Sequence, residues 1–99
     1  MAQFDVHRLR SGATLVVDCQ SDLLHSSNTR FVVPLLPRRS VPTPLPRLNP
    51  LFIVNGKEMV MATQFTAAVF ARDLGETVAT LREHAFEVLG AIDVLISGV

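Results

Sequence analysis

LFIVNGKEMVM, residues 51–61, decides the fold. Two apolar runs flank Asn55-Gly56, the strongest short-range hairpin signal a sequence offers, because both residues tolerate the positive φ of a tight two-residue turn. Working outward, the preceding stretch PRRSVPTPLPRLNP, residues 37–50, holds five of the six prolines. So many missing donors and fixed φ angles exclude central sheet and predict an extended, polyproline-like excursion over the surface. Before it, RFVVPLL at 30–36 reads as a strand in which Pro34 predicts an edge, a bulge or an early end. Residues 3–9 and 14–19 read as a hairpin around Ser11-Gly12, with a polar loop at 25–29 between it and the 30–36 strand. On the other side, FTAAVFAR at 65–72 is one more strand.

Thr80-Leu-Arg-Glu83 fits a capping box and predicts a helix reaching Ile96. Leu81, Ala85, Val88, Leu89, Ile92, Leu95 and Ile96 share one helical face, which is read as core. Phe86 and Val94 fall on the opposite, polar face and point to a second molecule. The expected architecture is mainly β (α+β): a small antiparallel barrel or two sheets closed by one C-terminal helix, in a single domain over residues 1–99.

Composition narrows the function classes. Hydrophobic residues are 48% and charged residues 18%, more apolar than a monomer of 99 residues requires, so another subunit is expected to cover part of the surface. Nine basic and nine acidic residues leave no overall drive toward nucleic acid or anionic membranes. Cys19 is alone, so no internal disulfide forms and the cytoplasm is the expected compartment. The N-terminus carries no signal pattern. The C-terminal apolar run is broken by Asp93 and falls short of the roughly 20 residues that cross a bilayer.

Chemistry is sparse. His7, His25 and His84 fall on a strand, a loop and a helix start without metal-ligand spacing, so no metal and no cofactor are expected. An acid–base pair assembled in space, His25 with Asp22 or Arg38, stays open because such pairs are not sequence-local. Cys19 reads as a small buried hydrophobe. Arg38-Arg39 either grip an acidic partner or are simply solvated. In QSDLL, residues 20–24, Ser21 and Asp22 are turn formers, while Leu23 and Leu24 are either core anchors or a displayed contact. The final LISGV, residues 95–99, is either buried or used in binding.

These stretches together resemble the CcdB toxins of bacterial toxin–antitoxin modules, which poison DNA gyrase. Gln3-Phe4 with Val6 is similar to that family's opening strand, VDCQSDLL at 17–24 to its Asp-Val-Gln-Ser-Asp-Ile-Ile segment, and FVVPL at 31–35 to its Val-Ile-Pro-Leu. Met61-Ala62-Thr63, Gly75-Glu76 with Val78-Ala79, and the helix through Ala91-Ile92 to Gly98-Val99 follow in register. The resemblance implies an SH3-like antiparallel barrel with a small extra sheet and a C-terminal helix, working as a homodimer. It also implies two other partners: the A subunit of DNA gyrase, trapped with its DNA cut, and a CcdA-like antitoxin whose disordered segment folds onto the toxin. No catalysis, direct nucleic-acid binding or membrane is implied. The gyrase contacts carried over are Ser21, Leu23 and Leu24 in the loop, with Gly98 and Val99 matching the end of the family's terminal Trp-Gly-Ile. Asp93 and Ile96 stand where the family has Asn and Phe. Ser97 stands where it has Trp, which implies weaker gyrase binding or an altered target in a gyrase-inactive relative. Arg38, Arg39 and Arg47, in a proline-rich loop unlike the family's own, are assigned to antitoxin binding. A ribonuclease toxin on the same barrel is the alternative.

Overall fold

The computed structural model describes residues 2–98. In chain order the elements are β1 (Asp5–Leu9), β2 (Leu15–Asp18), β3 (Thr29–Pro37), β4 (Leu51–Val54), β5 (Lys57–Met61), β6 (Ala67–Phe70), β7 (Leu74–Thr80) and α1 (Ala85–Ser97). The strands form an antiparallel sheet in the order β4-β5-β3-β2-β1-β7, with β6 pairing β3. The sheet curls into a half-barrel under the helix. The β4–β5 hairpin turns on Asn55 and Gly56, both at positive φ (51° and 81°), as a type I′ turn requires. It is hydrogen-bonded to β3 from Leu35↔Met61 to Pro37↔Met59, so the expected small extra sheet is a continuation of the main one. The two ends of the path, β4 and β7, do not pair as strands; the Asn55 amide reaches across and donates to the Val78 carbonyl at 3.2 Å.

Pro34 lies in a central strand, not at an edge. β3 pairs β6 through Thr29–Val32 and β5 through Leu35–Pro37, and Pro34 sits at the switch between them. Its carbonyl accepts from the Ala62 N–H at 2.9 Å. In a strand the N–H and C=O of one residue point to the same side, so the missing donor faces the break between the two partners, where no ladder bond is lost.

Strand β7 runs through residues not read as a strand from sequence. LGETVAT lacks a clean alternation because its pairing with β1 is bulged, the register shifting between Val6 and His7 and again before Leu9. Gly75 marks the closest approach: a Cβ there would lie 2.5 Å from the Arg8 carbonyl oxygen. The 65–72 strand shortens to Ala67–Phe70 because 3₁₀ turns occupy Thr63–Phe65 and Ala71–Asp73. The proline-rich excursion is less extended than expected. A 3₁₀ turn forms at Arg38–Ser40, and buried Asn49 pins the far end by donating to Met61 O at 3.1 Å and Gln64 Oε1 at 2.7 Å.

The helix also departs from expectation. A 3₁₀ turn spans Arg82–His84 and α1 begins only at Ala85, with no side-chain cap from His84. Thr80 Oγ1 accepts from the Arg82 N–H at 3.2 Å, a local turn in place of the capping box. Val88 and Ala91 are fully buried, joined by Leu81 and by half-buried Ala85 and Ile92. Leu89, Leu95 and Ile96 are exposed, because one helix laid over an open sheet touches it along a narrow line rather than a broad stripe. The main core beneath it collects Val6, Val17, Val33, Leu35, Phe52, Met59 and Met61. On the reverse face a smaller cluster, Val16, Val32 and Leu74 with Leu9 and Val69, covers that side of the sheet. Both faces of β2 are therefore buried, which accounts for its unbroken apolar run.

Candidate functional site

The chain leaves β2 at Asp18 and turns sharply. Ser21 Oγ accepts from the Leu23 N–H at 3.1 Å and caps a 3₁₀ turn over Asp22–Leu24. The Asp22 carboxylate accepts from the Gln3 N–H at 2.9 Å, and the Gln3 amide donates to Cys19 O at 3.0 Å, tying the loop to the N-terminal segment. Next to it Phe4 is held at φ +74°, a conformation costly for a bulky residue. It is fixed by bonds from its N–H to Asp18 O and from the Leu81 N–H to its carbonyl. On this clamped turn Leu23 is 91% exposed and Leu24 55% exposed. They are displayed; the core-anchor reading is wrong for both.

The end of α1 carries the second apolar group. Ile96 is 76% exposed. Ser97 Oγ donates back to Asp93 O at 2.7 Å, and Gly98, at φ +76°, closes the helix by donating to Val94 O at 2.9 Å. Val99 lies outside the described residues. Phe86, at the other end of the helix, is 93% exposed.

The three arginines do not share one place. Arg38 and Arg39 line an open groove of about 880 Å³ with Arg8 and Lys57, over an apolar floor that includes Leu15, Leu36, Met59 and Val78. Among the described residues Glu58 is the one carboxylate in its lining. Arg47, at φ +69°, lines a different groove with Leu51, Phe86, Leu89 and Asp93. Asp93, predicted with the gyrase set, thus stands beside a residue of the antitoxin set.

No acid–base pair is assembled at His25. Its Nδ1 lies 3.1 Å from the backbone carbonyl of Asp22, whose carboxylate is engaged elsewhere, and Arg38 donates to Val41 O at 2.8 Å. His7 is buried against Gly75 O, and His84 stacks at 5.0 Å on Phe52 beside Glu87. Among the described residues no group of His, Cys, Asp and Glu is placed to hold a metal ion, and no helix is long and apolar enough to cross a membrane. What the surface offers is contact: apolar side chains on a rigid turn and a helix end, and a cationic groove.

The family model described as CcdB protein matches residues 3–98. The chain belongs to the CcdB family. It is accordingly a toxin of a toxin–antitoxin system. No curated protein matches it.

Two members of the cationic groove in this CcdB-family toxin, Arg8 and Lys57, escaped sequence reading. They are 49 positions apart (57 − 8), on β1 and at the start of β5, and nothing local joins them to Arg38-Arg39. Cys19, by contrast, is as expected: buried, with its thiol pushed up to about 12 by desolvation and then by the Asp18 carboxylate beside it. Thiol reagents are expected to leave the native protein unlabelled at neutral pH and to react on unfolding. A raised folded pKa means that the thiol supports folding fully below its ordinary value of 9.0 and withdraws that support as pH climbs toward 12. Urea midpoints are therefore expected to fall above pH 9 in the wild type. They should fall less in Cys19→Ala.

Proposed function

We propose that this toxin acts in the cytoplasm as a homodimer that binds the A subunit of DNA gyrase and traps the complex in which DNA is cut, by contact rather than catalysis. The observation that carries this reading is the display of Leu23, Leu24 and Ile96, residues that the family resemblance assigns to gyrase contact. Apolar side chains held in place and out of the core are what a contact poison needs. Ser21, Asp93, Ser97, Gly98 and Val99 complete the proposed gyrase surface. The exposure of further large hydrophobics, Phe65, Phe70 and Phe86 among them, supports association of two copies. The test is to mix pure protein with gyrase, supercoiled DNA and ATP and to score double-strand breaks. Breaks that depend on Leu23 and Leu24 support the reading; their absence at saturating toxin removes it.

The groove around Arg38 and Arg39 suits the neutralising antitoxin, whose recognition would combine acidic residues for the four cations with apolar residues for the floor. Arg47, on its separate groove, would meet a different part of the same partner. Arg38→Glu with Arg39→Glu is expected to weaken cognate antitoxin binding at least about tenfold, chiefly through the association rate, and to flatten its salt dependence. Unchanged affinity by calorimetry would remove Arg38 and Arg39 from the site. The cationic groove also favours the second reading, a ribonuclease on the same barrel, although no histidine lines it. Incubation of total RNA with pure protein decides that point.

A further inference from the structure

Gln20 lies between the last core residue of β2 and the displayed leucines, and its side chain is engaged on every side. Its Oε1 accepts from the Phe31 N–H at 2.9 Å. Its Nε2 donates to Thr29 O at 3.0 Å and to Leu24 O at 3.4 Å. The orientation of the amide is dictated by its partners, since a backbone N–H can only donate and a carbonyl can only accept. One side chain thus ties the start of β3 to the carbonyl of a displayed residue. The Gln20 N–H in turn donates to Asp18 Oδ1 at 3.0 Å, and Asp18 Oδ2 accepts from the buried Arg30 Nε at 2.9 Å. The result is a continuous ladder from a fully buried ion pair, through Gln20, to the base of Leu24.

We infer that Gln20 is a positioning residue that pre-organises the Leu23–Leu24 turn for partner binding. The inference rests on the reading of that turn as the gyrase contact. Two leucines on a short, solvent-facing turn would sample many orientations, and ordering them on binding would subtract from affinity. Here the ordering is done during folding. Leu23 stays 91% exposed although the backbone around it is bonded on both sides: Ser21 Oγ and the Asp22–Gln3 bond hold the entry, Gln20 holds the exit. Gln20 itself touches no partner in this arrangement, because its three bonding sites are turned inward to backbone groups of Leu24, Thr29 and Phe31.

Two substitutions separate positioning from general stability. Gln20→Glu retains an acceptor for the Phe31 N–H but removes both donors and sets a carboxylate against two carbonyls; Gln20→Ala removes all three bonds. Amide exchange is read in the free protein at Leu24, His25 and Ser27, whose N–H groups close the turn onto Ser21, Asp22 and Leu24 carbonyls. The expected result is about tenfold faster exchange at these three amides in both variants, the change expected for one lost hydrogen bond. The unfolding midpoint of the Glu variant should stay near wild type. Dissociation from the isolated gyrase A subunit should accelerate by a similar factor in both. If the Glu variant matches wild type in exchange and dissociation while only Gln20→Ala differs, the residue is merely structural and the inference is overturned. Failure of the wild type to bind gyrase A would remove the proposed target, while the exchange rates would still decide what Gln20 does.

Discussion

Asp18→Asn is expected to destabilise the protein by about 4 kcal/mol, the usual cost of removing one partner from a buried ion pair. Asp18 and Arg30 are both wholly buried, with Oδ2 2.8 Å from Nη2 and 2.9 Å from Nε. Of the guanidinium nitrogens only Nε is well bonded; Nη1 has no partner, and Nη2, though close to the carboxylate, is not aligned for a hydrogen bond. A neutral amide would leave a wholly buried cation with almost nothing to compensate it. For a domain of this size that loss corresponds to a fall of roughly 15 °C or more in unfolding midpoint. Asp18→Asn combined with Arg30→Met should recover part of it, since the second change removes the orphaned buried cation. A single-variant loss under about 1 kcal/mol in urea titrations would mean that water reaches the pair. Because Asp18 also anchors the Gln20 N–H, the same variant is expected to loosen the Leu23–Leu24 turn.

On the proposed gyrase reading, Ser97→Trp is expected to tighten binding to the gyrase A subunit by more than a hundredfold. Ser97 is exposed in the last turn of α1, and its hydroxyl is turned back onto Asp93 O, so it presents a partner with little area and no free donor. Removing that exposed bond costs little, because water replaces it. A tryptophan at the same place adds a large flat surface beside Ile96, already 76% exposed. Such an anchor is worth a few kcal/mol at an interface centre, and about 3 kcal/mol is more than two decades in affinity. Surface plasmon resonance on the immobilised A subunit measures it directly. A change under about threefold would place Ser97 outside the interface and turn attention to the loop alone.

Elements with strong local signatures were legible in the sequence. The Asn55-Gly56 hairpin, the first hairpin and β3 appear where periodicity and turn residues put them, and the C-terminal helix appears too, starting at Ala85 rather than at the Thr80 capping box. The family resemblance, confirmed over residues 3–98, was carried by order and spacing rather than by any one motif. What was misread depends on neighbours distant in the chain. β7 was missed because its bulged pairing with β1 breaks alternation, and Pro34 was misjudged because only the split of β3 between two partners makes a central proline harmless. The helix face was read too broad, since periodicity reports which residues are apolar and not how much of a helix the sheet can reach.

The candidate surfaces divide in the same way. Sequence alone determined that Cys19 is a core residue and that Ser21 and Asp22 make a turn, because these depend on residue chemistry within a few positions. Tertiary structure decided that Leu23 and Leu24 are displayed rather than buried, that Arg38 and Arg39 join Arg8 and Lys57 while Arg47 stands apart, and that Gln20 is bound to Leu24, Thr29 and Phe31. The reason is physical: exposure and charge clustering are set by strand register and by which face of a curled sheet the helix covers. Those are pairings across tens of residues that no local pattern encodes.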